Sequence, residues 1–204
     1  VAVFYVVFVK LLGNRQSDFL VFLAVGKLTF IWFSKSVNQA AMSLMTNRGL
    51  IGQVNLPKHL FPLSIVQEGL YRQLAVFVFL LLFLTGSGYM PHVAWVWLLP
   101  VAALQYLLIV TCGLLAAVLV CIRRDFQMLI QLGTVFLLFM SGVFWDVRAL
   151  EDTELAGWLM ALNPLVVLLD SYRQVLMHSE SPDTARLFWV LVEVLVLLIG
   201  TMWI

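Results

Sequence analysis

Long apolar runs alternate with short polar segments along nearly the whole of this 204-residue chain. A helix that crosses a bilayer needs about 20 mostly apolar residues. By that criterion the pattern predicts six spans, at residues 1–12, 19–44, 60–86, 93–121, 126–145 and 187–204. The sequence begins and ends inside apolar runs, and the first run is short for a span. We therefore expect both ends of the sequence to be truncated. The runs are continuous and lack the alternating strands, each of roughly ten residues, that build a membrane barrel.

Composition supports a membrane protein. Hydrophobic residues make up 63% of the chain and charged residues 11%, whereas about a quarter of the residues are charged in soluble domains. A soluble chain of this length could not bury so much apolar surface. The net charge of +1 and the lack of a basic run argue against a nucleic-acid partner. We therefore predict an all-α integral membrane protein in which residues 1–204 form a single domain.

The stretch at residues 146–186 fits no single span. It contains LAGWLMALNPLVVLLDSYRQVLM, an apolar segment interrupted by Asn163-Pro164 and by Asp170. Proline lacks a backbone N–H and disfavours helix at the residue before it, so the chain should break there. The two short apolar pieces predict a re-entrant hairpin that enters from the outer face and returns. Asp170 and Arg173 are three residues apart on the second piece and can pair, which would lower the cost of placing them at the membrane edge.

Charged residues inside apolar runs are informative because each is costly in a bilayer. In the second span, polar side chains recur at helical spacing on one face, at Lys27, Ser34, Lys35 and Asn38. That stripe faces a polar conduit or a subunit interface. Alternatively, the Lys35 side chain extends to the membrane surface and the other three residues pack against neighbouring helices. In the third span Glu68 and Arg72 are four residues apart and are expected to form an ion pair. Glu193, in the last span, has no partner that the sequence identifies.

Catalytic and metal-binding motifs are missing from the sequence. There is no glycine-rich phosphate loop, so ATP hydrolysis by this chain is not expected. The three histidines are isolated and predict no metal site. Cys112 and Cys121 are nine residues apart, roughly 13 Å along one helix and too far for a disulfide. The sequence therefore predicts no cofactor bound by this chain.

Aromatic residues lie deep within several runs. Those in question are Phe4, Tyr5, Phe8, Phe30, Trp32, Phe33, Phe136 and Phe139. Such residues commonly pack helices together. Their flat apolar faces would alternatively suit the C–H faces of sugar rings in a channel lining.

Three segments together resemble one transporter family. FLAVGKLTFIWFSKSVNQAAMSLMTNRGLIGQVNLPKHLFPLSIV resembles the second span, cytosolic loop and third-span start of ABC-2 type permeases that export cell-surface polysaccharides. IRRDFQMLIQLG is similar to the turn before that family's fifth span, and LNPLVVLLDSYRQVL to the segment before its last span. The O-antigen, capsule and teichoic-acid permeases are the most similar. Where the family often has Ser-Pro after the fifth span, this chain has Ser141-Gly142, and glycine also permits a bend.

The resemblance implies a homodimer of six-span subunits with a channel between them, each bound to a cytosolic ABC ATPase subunit that holds ATP and Mg. It places the polar insert TNRGLIGQVNLPKHLFPLS, residues 46–64, in the cytosol, where the density of Lys and Arg also favours it. A short helix at residues 50–54, stopped by Pro57, would then dock into the ATPase. The predicted coupling residues are Asn47, Arg48, Gly49, Leu50, Ile51, Val54 and Lys58. A basic loop resting on anionic lipid is the alternative.

Two further sets of residues follow from that arrangement. The predicted channel lining consists of Tyr5, Phe8, Lys27, Trp32, Phe136 and Phe139. The predicted outer gate, formed where the hairpins of two subunits meet, consists of Asn163, Pro164, Asp170, Tyr172 and Arg173.

The function that the resemblance implies is export of a lipid-linked polysaccharide, O-antigen-like or capsule-like, across the inner (cytoplasmic) membrane. An ABC-2 exporter of drugs or small lipids is one alternative. A polytopic membrane transferase is another, although it would need clustered intramembrane His, Asp or Glu, which the sequence lacks. We therefore expect a permease subunit and not an enzyme.

Overall fold

The computed structural model describes residues 18–51, 53, 56–149 and 153–203. All regular structure within these ranges is helical, as the apolar runs predict. The α-helices are α1 (Phe19–Thr46), α2 (Arg48–Ile51), α3 (Leu60–Gly86), α4 (Leu98–Ile122), α5 (Phe126–Met140), α6 (Thr153–Leu162), α7 (Pro164–Arg173) and α8 (Thr184–Met202). Tighter 3₁₀ turns cover Val93–Trp97 and Val147–Ala149, and a wider π turn, Gln174–His178, continues α7.

Four helical segments in the described residues are long and apolar enough to cross a membrane. They are Phe19–Thr46, Leu60–Gly86, Val93–Ile122 and Thr184–Thr201. The helix α5 is apolar but shorter, and the predicted first span, residues 1–12, lies outside the described residues. The chain is thus an all-α multi-pass membrane protein, and the predicted number of six spans stays a prediction.

The predicted fifth span, residues 126–145, extends too far. Helix α5 ends at Met140, and Gly142, two residues later, has a φ of 73°. This left-handed conformation is strained for any residue with a Cβ, so glycine makes the turn possible. The chain does bend at Ser141-Gly142, as glycine permits, and the loop that follows it turns toward α7.

Helix α1 lies at the centre of the bundle. It packs against α3, α4, α5 and α7, and fifteen of its residues are buried. Its crossing with α3 and α4 is close because small residues meet there: a Cβ added to Gly113 would lie 3.1 Å from Ala40 Cβ and 3.4 Å from Val66 Cγ2. Small residues let helices approach in this way in membranes, where no hydrophobic effect drives helices together.

The bundle has two distinct ends. Helix α1 ends, α3 begins, α4 ends and α5 begins at the end that carries the polar insert, which we call the insert end. At the opposite end Asp18, before α1, lies beside Tyr89, which follows α3. Burial and the Asp18 carboxylate raise the pKa of the Tyr89 hydroxyl. The turn after α7, at Gln174–His178, also contacts Val93–Trp97 at this opposite end. The hairpin and the insert are therefore at opposite ends, as predicted.

The hairpin consists of α6 and α7 with a break at Asn163, as the sequence predicts. The Asn163 side chain accepts a hydrogen bond from Leu165 N at 3.1 Å and caps α7, with Pro164 in its first turn. The two limbs differ in their surroundings. Every residue of α7 from 165 to 173 is buried, whereas α6 exposes Trp158 and Leu162. Val167 lines one cavity with Val190 and Glu193, so α7 lies beside the middle of α8.

Candidate functional site

The hairpin is attached to the loop after α5 by a set of polar contacts, which we call the hairpin junction. Its members are Ser141, Val143 and Arg148 in the loop, and Asn163, Asp170, Arg173 and Gln174 on or after the hairpin. At its deepest point the Asn163 amide donates a hydrogen bond to Ser141 Oγ at 3.0 Å. The hairpin tip is thus held against the end of α5.

Asp170 is a buried carboxylate with two partners in this junction. Arg148 Nε donates to its two oxygens at 3.1 and 3.3 Å, and Gln174 Nε2 donates to Oδ2 at 2.6 Å. The ion pair of Asp170 that is within hydrogen-bonding distance is thus with Arg148 and not with Arg173, although the Asp170 charge also acts on the Arg173 guanidinium. Helical spacing favours Arg173, but tertiary packing brings the loop cation to the carboxylate instead. The ion pair joins the hairpin to the loop and not two residues of one helix.

Arg173 is buried and binds the main chain. Its guanidinium donates to the Val143 carbonyl at 3.1 Å, and its Cζ lies 3.5 Å from the centre of the Phe22 ring on α1, a cation–π contact. Gly26 leaves room for this close approach to α1, because a Cβ there would lie 2.5 Å from a guanidinium nitrogen and the Arg173 side chain would have to shift. Arg173 thus connects α7 with both the loop and the central helix.

Tyr172 is fully buried on the neighbouring face of α7. Its ring packs against Phe77 of α3 at 5.9 Å between centroids, and Phe77 in turn meets Trp32 of α1 at 6.1 Å. Within the described residues the Tyr172 hydroxyl has no hydrogen-bond partner. All five predicted gate residues lie on α7 or directly before it, with Asn163 and Pro164 at its start.

The polar stripe on α1 faces α5 and the loop that follows it. Asn38 donates to Thr134 Oγ1 of α5 at 3.1 Å, and Lys27 Nζ lies 5.6 Å from the centre of the Phe144 ring. Lys35 is exposed. Helix packing accounts for Asn38, while Lys27 lies beside the hairpin junction. The predicted pair of Glu68 and Arg72 is confirmed as an exposed ion pair.

The predicted lining residues occupy different environments. Phe136 and Phe139 lie on the outward face of α5, 61% and 59% exposed. Trp32 is 3% exposed and packs on Phe77 inside a single copy of the chain, where a second copy cannot reach it. Because a channel between subunits needs residues on the subunit surface, Trp32 does not fit that role. Tyr5 and Phe8 lie outside the described residues.

The insert contains a helical turn, α2, that starts at Arg48 and ends at Ile51. This is earlier and shorter than the helix predicted at residues 50–54. Arg48, Gly49 and Leu50 are exposed at the end of the bundle, and Asn47 and Ile51 are partly exposed. Lys58 is exposed and lines a cavity beside the start of α3. Val54 lies outside the described residues.

Sequence reasoning missed four residues here: Phe22 and Gly26 of α1, which lie against Arg173, and Arg148 and Gln174 of the junction. Each looks ordinary in the sequence, as an apolar residue, a helix glycine, a loop cation and a helix amide. Other parts of the junction did carry a signal: Ser141-Gly142 departs from the resembling family, Asn163 precedes a proline, and Asp170 and Arg173 are charges in an apolar segment. Among the described residues no three His, Cys, Asp or Glu side chains lie together as a metal site. Cys112 and Cys121 are both free thiols, as their spacing predicts.

Known proteins match this chain over a stretch that includes the three segments on which the family resemblance is based. The ABC-2 type transporter family profile matches residues 1–177. The chain is 29% identical over 188 residues to the O-antigen export system permease protein RfbA of Myxococcus xanthus, covering 91% of this chain and 71% of that protein. It is 24% identical over 179 residues to a protein of the same name from Klebsiella pneumoniae, covering 87% of this chain and 68% of that one. The match includes the central helix, the insert and the hairpin. The chain therefore belongs to the ABC-2 type transporter family.

Proposed function

We propose that this chain is the transmembrane subunit of an ATP-driven exporter that moves a lipid-linked polysaccharide, O-antigen-like or capsule-like, across the inner membrane. The observation that carries the proposal is the match over about nine-tenths of the chain to permeases named for O-antigen export. Family membership also implies a partner ABC ATPase subunit. ATP and Mg are bound by that partner, and this chain is a permease without catalytic activity of its own.

A homodimer supplies the conduit in this proposal. Two-fold pairs are the commonest oligomers, and one small helical bundle with a packed core leaves little room for a polymer. Helix α5 offers a suitable surface: its inner face bonds to Asn38 through Thr134, while Phe136 and Phe139 point outward. Aromatic faces of this kind suit the C–H faces of sugar rings. The proposed lining consists of these two residues with Lys27, and with Tyr5 and Phe8 of the first segment.

The hairpin forms the outer gate in this proposal. Its tip lies against the end of α5, the helix that carries the proposed lining, so a shift of the tip would change the mouth of the conduit. Asp170 and Arg173 attach the buried limb to the loop and to α1. When the gate opens, the polar contacts of the hairpin junction must therefore either break or move together with the hairpin.

The insert couples the permease to the ATPase. Arg48, Gly49 and Leu50 are exposed at the insert end, opposite the hairpin, where a cytosolic subunit can bind them. Leu50 is 49% exposed and offers an apolar anchor, and Arg48 supplies a charge for an acidic groove. The short turn of α2 presents these groups on a compact element at the end of the central helix.

Reconstitution with the partner ATPase tests the proposal. Vesicles that contain both subunits should export lipid-linked polysaccharide when ATP is supplied. Arg48→Glu should reduce export and substrate-stimulated ATP hydrolysis about tenfold or more, because a like-charge contact costs several kcal/mol. Arg124→Glu, at an exposed arginine in the α4–α5 turn, is the matched control and should reduce both rates much less. Equal export by wild type and Arg48→Glu would contradict the coupling role, and ATP-independent export would contradict the proposed function.

A further inference from the structure

A groove at the insert end of the bundle has a lining unlike that of a buried core. Its volume is about 480 Å³, within the usual range of small-molecule sites. The residues that line it are Leu44, Lys58, His59, Pro62, Leu114, Ala117, Val118, Cys121 and Ile122. The ends of α1 and α4 and the start of α3 thus form its walls. Seven of these nine residues are apolar or weakly polar, and the remaining two carry basic side chains.

The groove runs into the membrane along one face of α4. Its α4 residues follow the helical period from Ile122 back to Leu114, a rise of about 12 Å at 1.5 Å per residue. One leaflet of the hydrocarbon core is about 15 Å deep, half of the whole. The lining therefore extends through roughly one leaflet and no further.

The rim of the groove is basic. Lys58 and His59 are exposed where α3 begins, and Arg123, also exposed, directly follows Ile122. Arg124 and Asp125, the next residues, cancel each other in charge. An ammonium group and an imidazole can both donate hydrogen bonds to a phosphate. The groove thus combines an apolar, leaflet-deep wall with phosphate-binding groups at the membrane surface.

We propose that this groove binds an acidic phospholipid from the leaflet at the insert end. One acyl chain lies along α4 between Leu114 and Ile122, and the phosphate group contacts Lys58 and His59. The proposal is independent of the exported substrate. A transmembrane helix fits the groove less well, because a helix is about 10 Å wide with its side chains and continues through both leaflets.

Photo-crosslinking in vesicles tests the proposal on the full chain. The probes are phosphatidylglycerol and phosphatidylcholine, each with a diazirine near the middle of one acyl chain, and the adducts are mapped by mass spectrometry of peptides. The phosphatidylglycerol probe should label residues 114–122 several-fold more than the phosphatidylcholine probe does. Lys58→Gln should lower the ratio of phosphatidylglycerol labelling to phosphatidylcholine labelling at residues 114–122 about fivefold. The reason is that one lysine near an anionic surface contributes about 1 kcal/mol. Arg186→Gln, at an exposed arginine of the opposite end, should leave the excess unchanged.

Three results would overturn the proposal. Equal labelling of residues 114–122 by the two probes would mean that the headgroup is not recognised. An excess that persists in Lys58→Gln would mean that the rim does not hold the phosphate. A groove without lipid adducts, while the lipid-facing side of α3 is labelled, would mean that protein covers it, either a second copy or another segment.

Discussion

Asp170→Ala should lower the free energy of unfolding by about 2–4 kcal/mol, among the largest effects of any single side-chain truncation in this chain. Two donors depend on this carboxylate, Arg148 Nε and Gln174 Nε2. Leaving a buried donor without a partner costs about 1–3 kcal/mol, and more where charge is involved. Gln174 is buried, so water cannot replace the lost acceptor. Unfolding of the purified chain in mixed micelles measures the change.

Two further variants separate this network from a general effect of removing charge. Glu68→Ala removes a carboxylate from an exposed ion pair and should cost no more than about 1 kcal/mol. Asp170→Ala combined with Gln174→Leu removes acceptor and buried donor together, so it should be more stable than Asp170→Ala alone. A cost for Asp170→Ala as small as that for Glu68→Ala would contradict the structure of the junction.

Gly113→Leu should prevent the native helix crossing, with a loss of more than about 3 kcal/mol, at the upper end of overpacking effects. The physical reason is the contact of α4 with α1 and α3: even a Cβ at this position lies 3.1 Å from Ala40 Cβ. A leucine adds three more carbons to a site without space. The yield of monodisperse protein after detergent extraction, together with its unfolding midpoint, reports the effect.

Gly133→Leu on α5 is the matched control for that substitution. A Cβ added there meets no atom of the described residues within 4 Å. The same change from glycine to leucine should therefore leave extraction and unfolding nearly unchanged. If both variants fold equally well, close packing at Gly113 does not hold the three helices together.

The limits of the long helices could be predicted because they depend on local chemistry. Residues 60–86 were predicted as a span and form α3 with the same ends, since polar segments bound the apolar run on both sides. The hairpin break was predictable for the same reason, because Pro164 alters the backbone of its own neighbours. These features need no knowledge of distant residues.

The partners of the buried charges could not be predicted in this way. Helical spacing offers Arg173 to Asp170, but Arg148, 22 residues away, takes that position. The choice depends on how the loop folds after Gly142, and thus on tertiary structure. Trp32 shows the same limit: an aromatic residue deep in a span can face a conduit or a core, and only the packing on Phe77 distinguishes them.

As proposed, the outer gate opens by a movement of the hairpin tip relative to α5. Ser141→Cys with Asn163→Cys, in a chain whose Cys112 and Cys121 are replaced by alanine, tests it directly. The native side chains at these positions are hydrogen-bonded at 3.0 Å, so the two thiols should come close enough to form a disulfide after a small adjustment, and mass spectrometry checks that it forms on oxidation. Each single-cysteine variant controls for the substitutions and for oxidation. The gate account predicts that ATP-driven polysaccharide export stops in the oxidised double variant and returns with a reductant, whereas undiminished export with the disulfide intact would contradict it.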